Sequence, residues 1–467
     1  MSIRTSDLPL HQRIRAELDK GFMRAAIANA QDLLNRKRAD VFEELGDYQQ
    51  WRDQASAIRS HTLENLDFYL DSFARNAEKN GAKVYFAATG DEATAVALTI
   101  CQDKKAGKAV KSKSMVTEEV GLNEVLEAAG IEVVETDLGE YLLQIDDHDK
   151  PSHIVVPALH KNRQRIRQVL HERKGYDGDT NPENMTKFVR RLIRRDFLEA
   201  EVAITGCNFG VADSGTCTLV TNEGNGRFVT TVPKTQIVFL GMERLVPTFK
   251  DLDVMLSLLA RSAVGAKLTS YMTLFTGPRG KGDKDGPEEL HIVIVDNGRS
   301  KVLASPFRDV LKCIRCGTCM LECPAYRHIC GHGYGALYPG PLGAALVPIL
   351  AGYETFKDIT KICSLCGACN EVCPVKIPLY ELIFEHRRVI ADEKKLEGPV
   401  EGAVMTLYAN IIGSSRLYDL ATRMAPFANI SPAIGPLREW CKDRQRPKIA
   451  GQRFRDWYRI NRQGAGK

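Results

Sequence analysis

No stretch of this 467-residue chain reaches the roughly 20 consecutive apolar residues needed to cross a bilayer. The opening residues, MSIRTSDLPLHQRIRAELDK, carry early basic side chains with no apolar segment after them. A secretory signal is therefore not expected, and a cytoplasmic location is. No G-x-G-x-x-G follows a predicted strand in the manner of a dinucleotide-binding fold, which leaves NAD unsupported. GPRGKG, residues 277–282, lacks the G-x4-G-K-[ST] of a phosphate-binding loop. The cysteine spacing also argues against a disulfide scaffold, because eight of the thirteen cysteines sit in two compact runs.

The composition is 44% hydrophobic and 26% charged, enough apolar surface for a packed core. At roughly 100–200 residues per domain, two or three domains are expected. The net charge of +5 is uneven. From Arg438 to Lys467, ten Lys and Arg face three acids, a local +7 that leaves about −2 for the rest. Such a tail could meet an acidic partner, anionic lipid or nucleic acid, or stay solvated.

Residues 1–80 read as helical, with apolar residues at helical spacing in MRAAIANAQDLLNRKRADVFEEL and HTLENLDFYLDSFARNAEKNG. Strand and helix then alternate. KVYFAA, KAVKSKS, IEVVETD and HIVVPAL (153–159) read as strands, and the segments around residues 91–107 and 117–130 as helices. This rhythm predicts a mostly parallel sheet with helices on its faces. A charged helical segment begins at Pro182, and Gly-punctuated strands follow to Gly241. Further on, a helix near 249–265 and the strands YMTLFTG and LHIVIVD complete this part. The domain boundaries read are 1–80 (helical lead), 81–300 (α/β), 301–395 (cysteine-rich, helical) and 396–467 (helical, with the basic tail).

The two runs are CIRCGTCMLECP and CSLCGACNEVCP, each C-x2-C-x2-C-x3-C-P. This is bacterial [4Fe–4S] ligand spacing, in which the fourth cysteine ligates the other cluster of a pair. Cluster 1 is accordingly assigned to Cys313, Cys316, Cys319 and Cys373, and cluster 2 to Cys363, Cys366, Cys369 and Cys323. Zinc sites usually pair two C-x2-C units and lack the following proline. Cys330 is a spare ligand, a redox thiol or a buried small residue, and His328 and His332 are weak ligand candidates.

Ahead of the runs, residues 115–141, 151–163, 204–227 and 233–247 resemble the LUD domain of lactate-utilisation proteins. With two cysteine runs behind it, the layout is similar to the lactate utilization protein B family over nearly the whole chain. The resemblance implies a NagB/RpiA/CoA-transferase-like α/β fold followed by an α-helical ferredoxin-like two-cluster domain and a helical C-terminal region. It implies the iron–sulfur subunit of a system oxidising L-lactate to pyruvate, a part of an oxidoreductase rather than a stand-alone enzyme. Expected partners are a cysteine-rich-domain subunit, a smaller LUD protein and a downstream electron acceptor. Contact with the inner face of the membrane through the complex is possible, and nucleic acid is not expected. The alternative is that the LUD region itself binds a CoA-type or carboxylate ligand, or is catalytic. Asn208, Asp213, Ser214, Asn222, Glu223 and Asn225 would form its pocket at strand ends, with Glu223 as base or nucleophile. The plainer reading of these residues is turn chemistry. Likewise Glu118, Glu119 and Asp137 read as helix caps, and His153 and His160 as core or surface residues.

Overall fold

The computed structural model describes residues 3–396, 398–429, 438, 441, 445–446 and 448–462. Glu439, Lys442, Asp443, Arg444 and Lys467, all part of the basic C-terminal stretch, lie outside the described residues. Met1–Val389 forms one compact unit and Ile390–Lys467 another.

In the first unit, β1 (Lys83–Ala87), β2 (Lys108–Lys111), β3 (Glu132–Glu135), β4 (Val202–Gly206), β7 (Thr235–Gly241) and β10 (Glu289–Val295) form a six-stranded sheet. Its order is β1-β10-β7-β4-β2-β3, and every pair is parallel. The strands read as continuous apolar runs because both faces are buried. Ile237, Phe239, Val293 and Val295 pack into one core with Leu122 and Leu126, whereas Val238, Leu240, Ile292 and Ile294 point into the other. A second sheet, β8 (Leu245–Val246), β5 (Phe209–Val211), β6 (Thr216–Thr221) and β9 (Tyr271–Phe275), is mixed.

HIVVPAL is not a strand. His153 Nδ1 accepts the backbone N–H groups of Val155 and Val156 at 3.0 and 3.1 Å, so neither is offered to a ladder. The segment is a loop whose apolar residues serve packing instead of pairing.

The helical lead comprises Leu10–Leu18, Gly21–Glu43, Tyr48–Glu64 and Leu66–Lys79. It ends at Gly81, whose φ of +93° suits glycine, with Ala82 N bonded back to Ala77 O. Two of these helices reach across more than 280 residues of sequence to the cysteine runs. Gln31 donates to Met320 O at 2.9 Å, Asn35 to Leu321 O at 3.1 Å, and Arg52 to Cys373 O and Asn370 O, both at 2.9 Å. The cysteine region repeats one local design. A short 3-10 helix (Arg308–Lys312, Lys357–Ile362) leads into each run, and a one-turn helix (Thr318–Leu321, Ala368–Glu371) carries its third cysteine.

The second unit contains helices Pro399–Gly413, Ser415–Met424 and Phe454–Arg462. Arg453 ties two of them by bonding Asp419 and Asp456, each at 2.6 Å. Among the described residues, no helix of the chain is long and apolar enough to cross a membrane.

Candidate functional site

Both runs bend the same way. Arg315 and Leu365, two residues after the first cysteine of each run, adopt φ of +59° and +57°. Side chains other than glycine rarely do so, and here the turn aims an amide at sulfur. Arg315 N lies 3.3 Å from Cys313 Sγ, and Leu365 N lies 3.3 Å from Cys363 Sγ. Tyr326 N and Ile377 N do the same for Cys323 and Cys373 at 3.5 and 3.3 Å.

One cavity is lined by Cys313, Cys316, Cys319 and Cys373, with Gly317, Thr318, Leu342, Pro374, Ile377 and Leu379. Three of these thiols come from the first run and one from the second. Cys323 does not line this cavity; Cys363 lies within its electrostatic reach, and Cys363, Cys323 and Cys366 lie within that of Cys369. Cys319 has Cys369 within electrostatic reach, so the two groups adjoin. Burial pushes the Cys369 and Cys373 thiols up to about 12 and about 11. Thiolates persist at such positions when bound to a cation. The buried Thr318 Oγ1 has no hydrogen-bond partner among the described residues. A sulfur-rich anion in the cavity is what these groups fit.

Arginines surround the first group. Arg244 Nη1 donates to Cys313 O at 2.5 Å, and Arg59 donates to Lys312 O and Leu311 O. Arg59 is completely buried, and desolvation lowers it to about 9, still protonated at neutral pH. Behind them lies a closed ionic network at the C-terminal edge of the parallel sheet. Arg299 gives Nη1 and Nη2 to Glu119 at 2.8 and 2.9 Å and Nε to Glu243 at 2.7 Å. Tyr338 Oη and Asn297 Nδ2 also donate to Glu119, each at 2.7 Å, and Arg315 reaches Glu243 at 3.4 Å. Burial works against Glu243, yet Arg299, Arg315 and Arg244 hold it down at about 2. Glu119 is thus not a helix cap: it joins the sheet to the cysteine region. Asp137 is a cap, accepting from Gly139 N and Glu140 N.

The six pocket residues predicted from the LUD-like stretch do not converge. Asp213 and Ser214 sit where β5 turns into β6, and Asn222, Glu223 and Asn225 lie beyond the other end of β6. At about 3.4 Å per residue, those ends are roughly 20 Å apart. Asn208 accepts from Val220 N at 2.9 Å and Asn222 from Ser270 N at 3.1 Å, both backbone-fastening roles. Glu223 and Asn225 do line a cavity of about 310 Å³, with Thr136, Arg190, Arg194 and Phe228. Burial, aided by Asp137, raises Glu223 to about 7, while its Oε2 accepts from Leu138 N at 2.9 Å.

Beside it are residues that the sequence reading passed over. Lys113, lowered by burial, donates to Val155 O at 2.9 Å and stands near Glu140, Asp137 and Glu223. Burial raises Glu140 to about 8. The signal was in KSKS: ionisable residues where a buried parallel strand ends. Asp149, His160 and His332 approach within 4.8 Å of one another. However, Lys161 Nζ lies 2.6 Å from the Asp149 carboxylate and supplies the positive charge there. Cys330 is fully buried.

Comparison with known proteins agrees with this layout. Residues 70–295 match the LUD domain, 309–377 the 4Fe-4S dicluster domain, and 384–463 the C-terminal domain of lactate utilisation protein B. The chain is 53% identical to the uncharacterized electron transport protein YkgF of Escherichia coli K12, covering 98% of each. It is 50% identical to lactate utilization protein B of Macrococcus caseolyticus, covering 98% of each. To that of Bacillus subtilis it is 51% identical, covering 96% of this chain and 95% of the relative. The dicluster domain makes two [4Fe–4S] clusters the cofactors of this chain. On the full-length likeness and the three matched domains, the chain belongs to the lactate utilization protein B family.

Proposed function

We propose that this chain is the iron–sulfur electron-transfer subunit of a multi-protein system oxidising L-lactate to pyruvate. It works beside a cysteine-rich-domain subunit and a smaller LUD protein and passes electrons to a further acceptor. The observation that carries the reading is the cavity lined by Cys313, Cys316 and Cys319 from one run and Cys373 from the other. In this reading these four hold one cluster, and Cys363, Cys366, Cys369 and Cys323 hold the second. When bound, each cluster supplies one-electron redox chemistry, so a pair accepts singly the two electrons that leave lactate with two protons. The protein's part is to keep the ligand loops still while their charge changes. Arg52, Arg59 and Arg244 do so by fixing the carbonyls of Cys373, Lys312 and Cys313. Leu342, Ile377 and Leu379 keep water from the first group.

The test is anaerobic co-purification with the partner proteins, iron and sulfide analysis, and EPR after lactate addition. About eight irons per chain and lactate-dependent reduction are expected. Zinc in place of iron, or clusters that lactate never reduces, would sink the reading.

A second reading is favoured by Glu223, which burial holds near neutrality in its pK. Here the LUD cavity binds or turns over a carboxylate- or CoA-type ligand, and the clusters are accessory. Glu223→Ala distinguishes the two. Loss of turnover with normal iron content and normal cluster reduction supports the second, and unchanged turnover removes it.

A further inference from the structure

His153 is 2% exposed and lies on the loop Ser152–His160 that the LUD domain sends to the cysteine region. Its Nδ1 accepts two backbone N–H groups, from Val155 at 3.0 Å and Val156 at 3.1 Å. A nitrogen that accepts carries no proton, so the proton of the neutral ring is on Nε2. That N–H is buried and has no partner among the described residues. An orphaned donor of this kind costs about 1–3 kcal/mol. It faces Gly317: a Cβ there would stand 3.0 Å from His153 Cε1 and 3.3 Å from Nε2. Gly317 lines the cavity of Cys313, Cys316, Cys319 and Cys373. The next residue, Thr318, also lines it and is 1% exposed, and its hydroxyl is a second buried group without a partner among the described residues.

The second run lacks both features. Ala368 stands where the first run has Thr318, and Gly367 faces carbon atoms of the Tyr380 ring at 3.7 Å rather than an imidazole. Two modules that otherwise share turns, helices and amide-to-sulfur bonds thus differ in polar donors alongside the cavity.

We propose that His153 Nε2–H and Thr318 Oγ1–H donate hydrogen bonds to sulfur of the cluster held by Cys313, Cys316, Cys319 and Cys373, and that they raise its reduction potential. This rests on the ligand assignment proposed above. One electron enters an already anionic group on reduction, no proton or bond is exchanged, and donors to its sulfur stabilise the added charge. His153 would touch the cluster's sulfur as a hydrogen-bond donor and is not one of its iron ligands.

The test uses full-length protein purified anaerobically with both clusters. His153→Asn keeps an acceptor for the Val155 and Val156 amides, as in an Asx turn, but removes the Nε2 donor. Thr318→Val removes the hydroxyl at nearly constant shape, and Thr318→Ser restores it. Redox titration by EPR reads each cluster. His153→Asn and Thr318→Val should each keep about eight irons. Each should lower the reduced-to-oxidised ratio of one cluster, at fixed potential, on the order of tenfold, ~59 mV for one electron. The other cluster should not move, and Thr318→Ser should match the parent protein. Full iron content with neither potential moved would overturn the proposal. If His153→Asn loses iron, the comparison of Thr318→Val with Thr318→Ser decides, because it leaves the loop intact. A parent protein without two clusters would instead overturn the ligand assignment.

Discussion

Replacing Arg299 by Met isolates the network that fastens the sheet to the cysteine region. Arg299 is 1% exposed and makes three bonds to two carboxylates. Without it, Glu119 loses its bidentate cation while the neutral donors Tyr338 and Asn297 remain, and Glu243 keeps Arg315 at 3.4 Å. Removing one partner of a buried ion pair costs about 3–5 kcal/mol. The surviving donors place this case near the lower end, about 3 kcal/mol, or roughly 150-fold in an opening equilibrium. Amide hydrogen exchange of the native holoprotein, read by mass spectrometry over residues 289–303 and 334–345, should speed up by that order. Acidity supplies the sign. In the parent protein Glu243 is held at about 2, below its ordinary 4.5. Its stabilisation is therefore full above pH 4.5 and disappears as pH falls toward 2. In Arg299→Met, Glu119 loses the Arg299 cation and Glu243 loses the largest of the three arginine charges that hold it down; burial then raises both, and protonation relieves the penalty. The variant's deficit should shrink between pH 7 and pH 5, and adding Glu119→Gln should recover much of it. Exchange accelerated less than fivefold, or a deficit that grows on acidification, would refute the reasoning.

Cys323→Ser and Cys373→Ser should damage opposite clusters, each the one bound mainly by the other run, as seen in separate EPR signals. Loss of the cluster of its own run in either variant would refute the crossing. The Glu223 carboxyl should titrate near pH 7: a protonated-carboxyl infrared band present at pH 5, lost by pH 9 and missing in Glu223→Gln. Because that pK is raised, Glu223 costs no stability below about pH 4.5 and weakens the fold as pH rises through 7, so Glu223→Gln should be the more stable protein at pH 9. Arg52→Met removes two donors to Cys373 O and Asn370 O. At about 1–3 kcal/mol for losing partners of buried groups, iron release to a chelator should speed up several-fold to a hundredfold. An unchanged release rate would show that the carbonyls find other partners.

The parallel sheet was legible because strands buried on both faces leave continuous Val, Ile and Leu runs, as in LHIVIVD. The cysteine runs were legible because the spacing is itself the signal. HIVVPAL misled for a physical reason: its pattern is that of a strand, but a histidine one position before the apolar run captured two amides. Glu119 read as a cap because its partners, Arg299 and Tyr338, are 180 and 219 residues away. The grouping of Asp213 and Ser214 with Glu223 treated neighbours in sequence as neighbours in space, and a six-residue strand separates them. The helical lead was visible as helices, but periodicity marks only that a face is buried and does not name the surface it meets.

That lead has a consequence for how the chain is made. Arg52 meets Cys373 across 321 residues, and Gln31 meets Met320 across 289. At about 5–20 residues per second, the ribosome needs roughly 15–65 s to deliver Cys373 after Arg52 has emerged. During that time Arg52 lacks the carbonyls of Cys373 and Asn370, and the first cysteine run, once made, is still without the Cys373 thiol that lines its cavity. On the ligand assignment proposed above, the first cluster's four thiols are all present only after translation has passed the second run, when the helical lead can close over it.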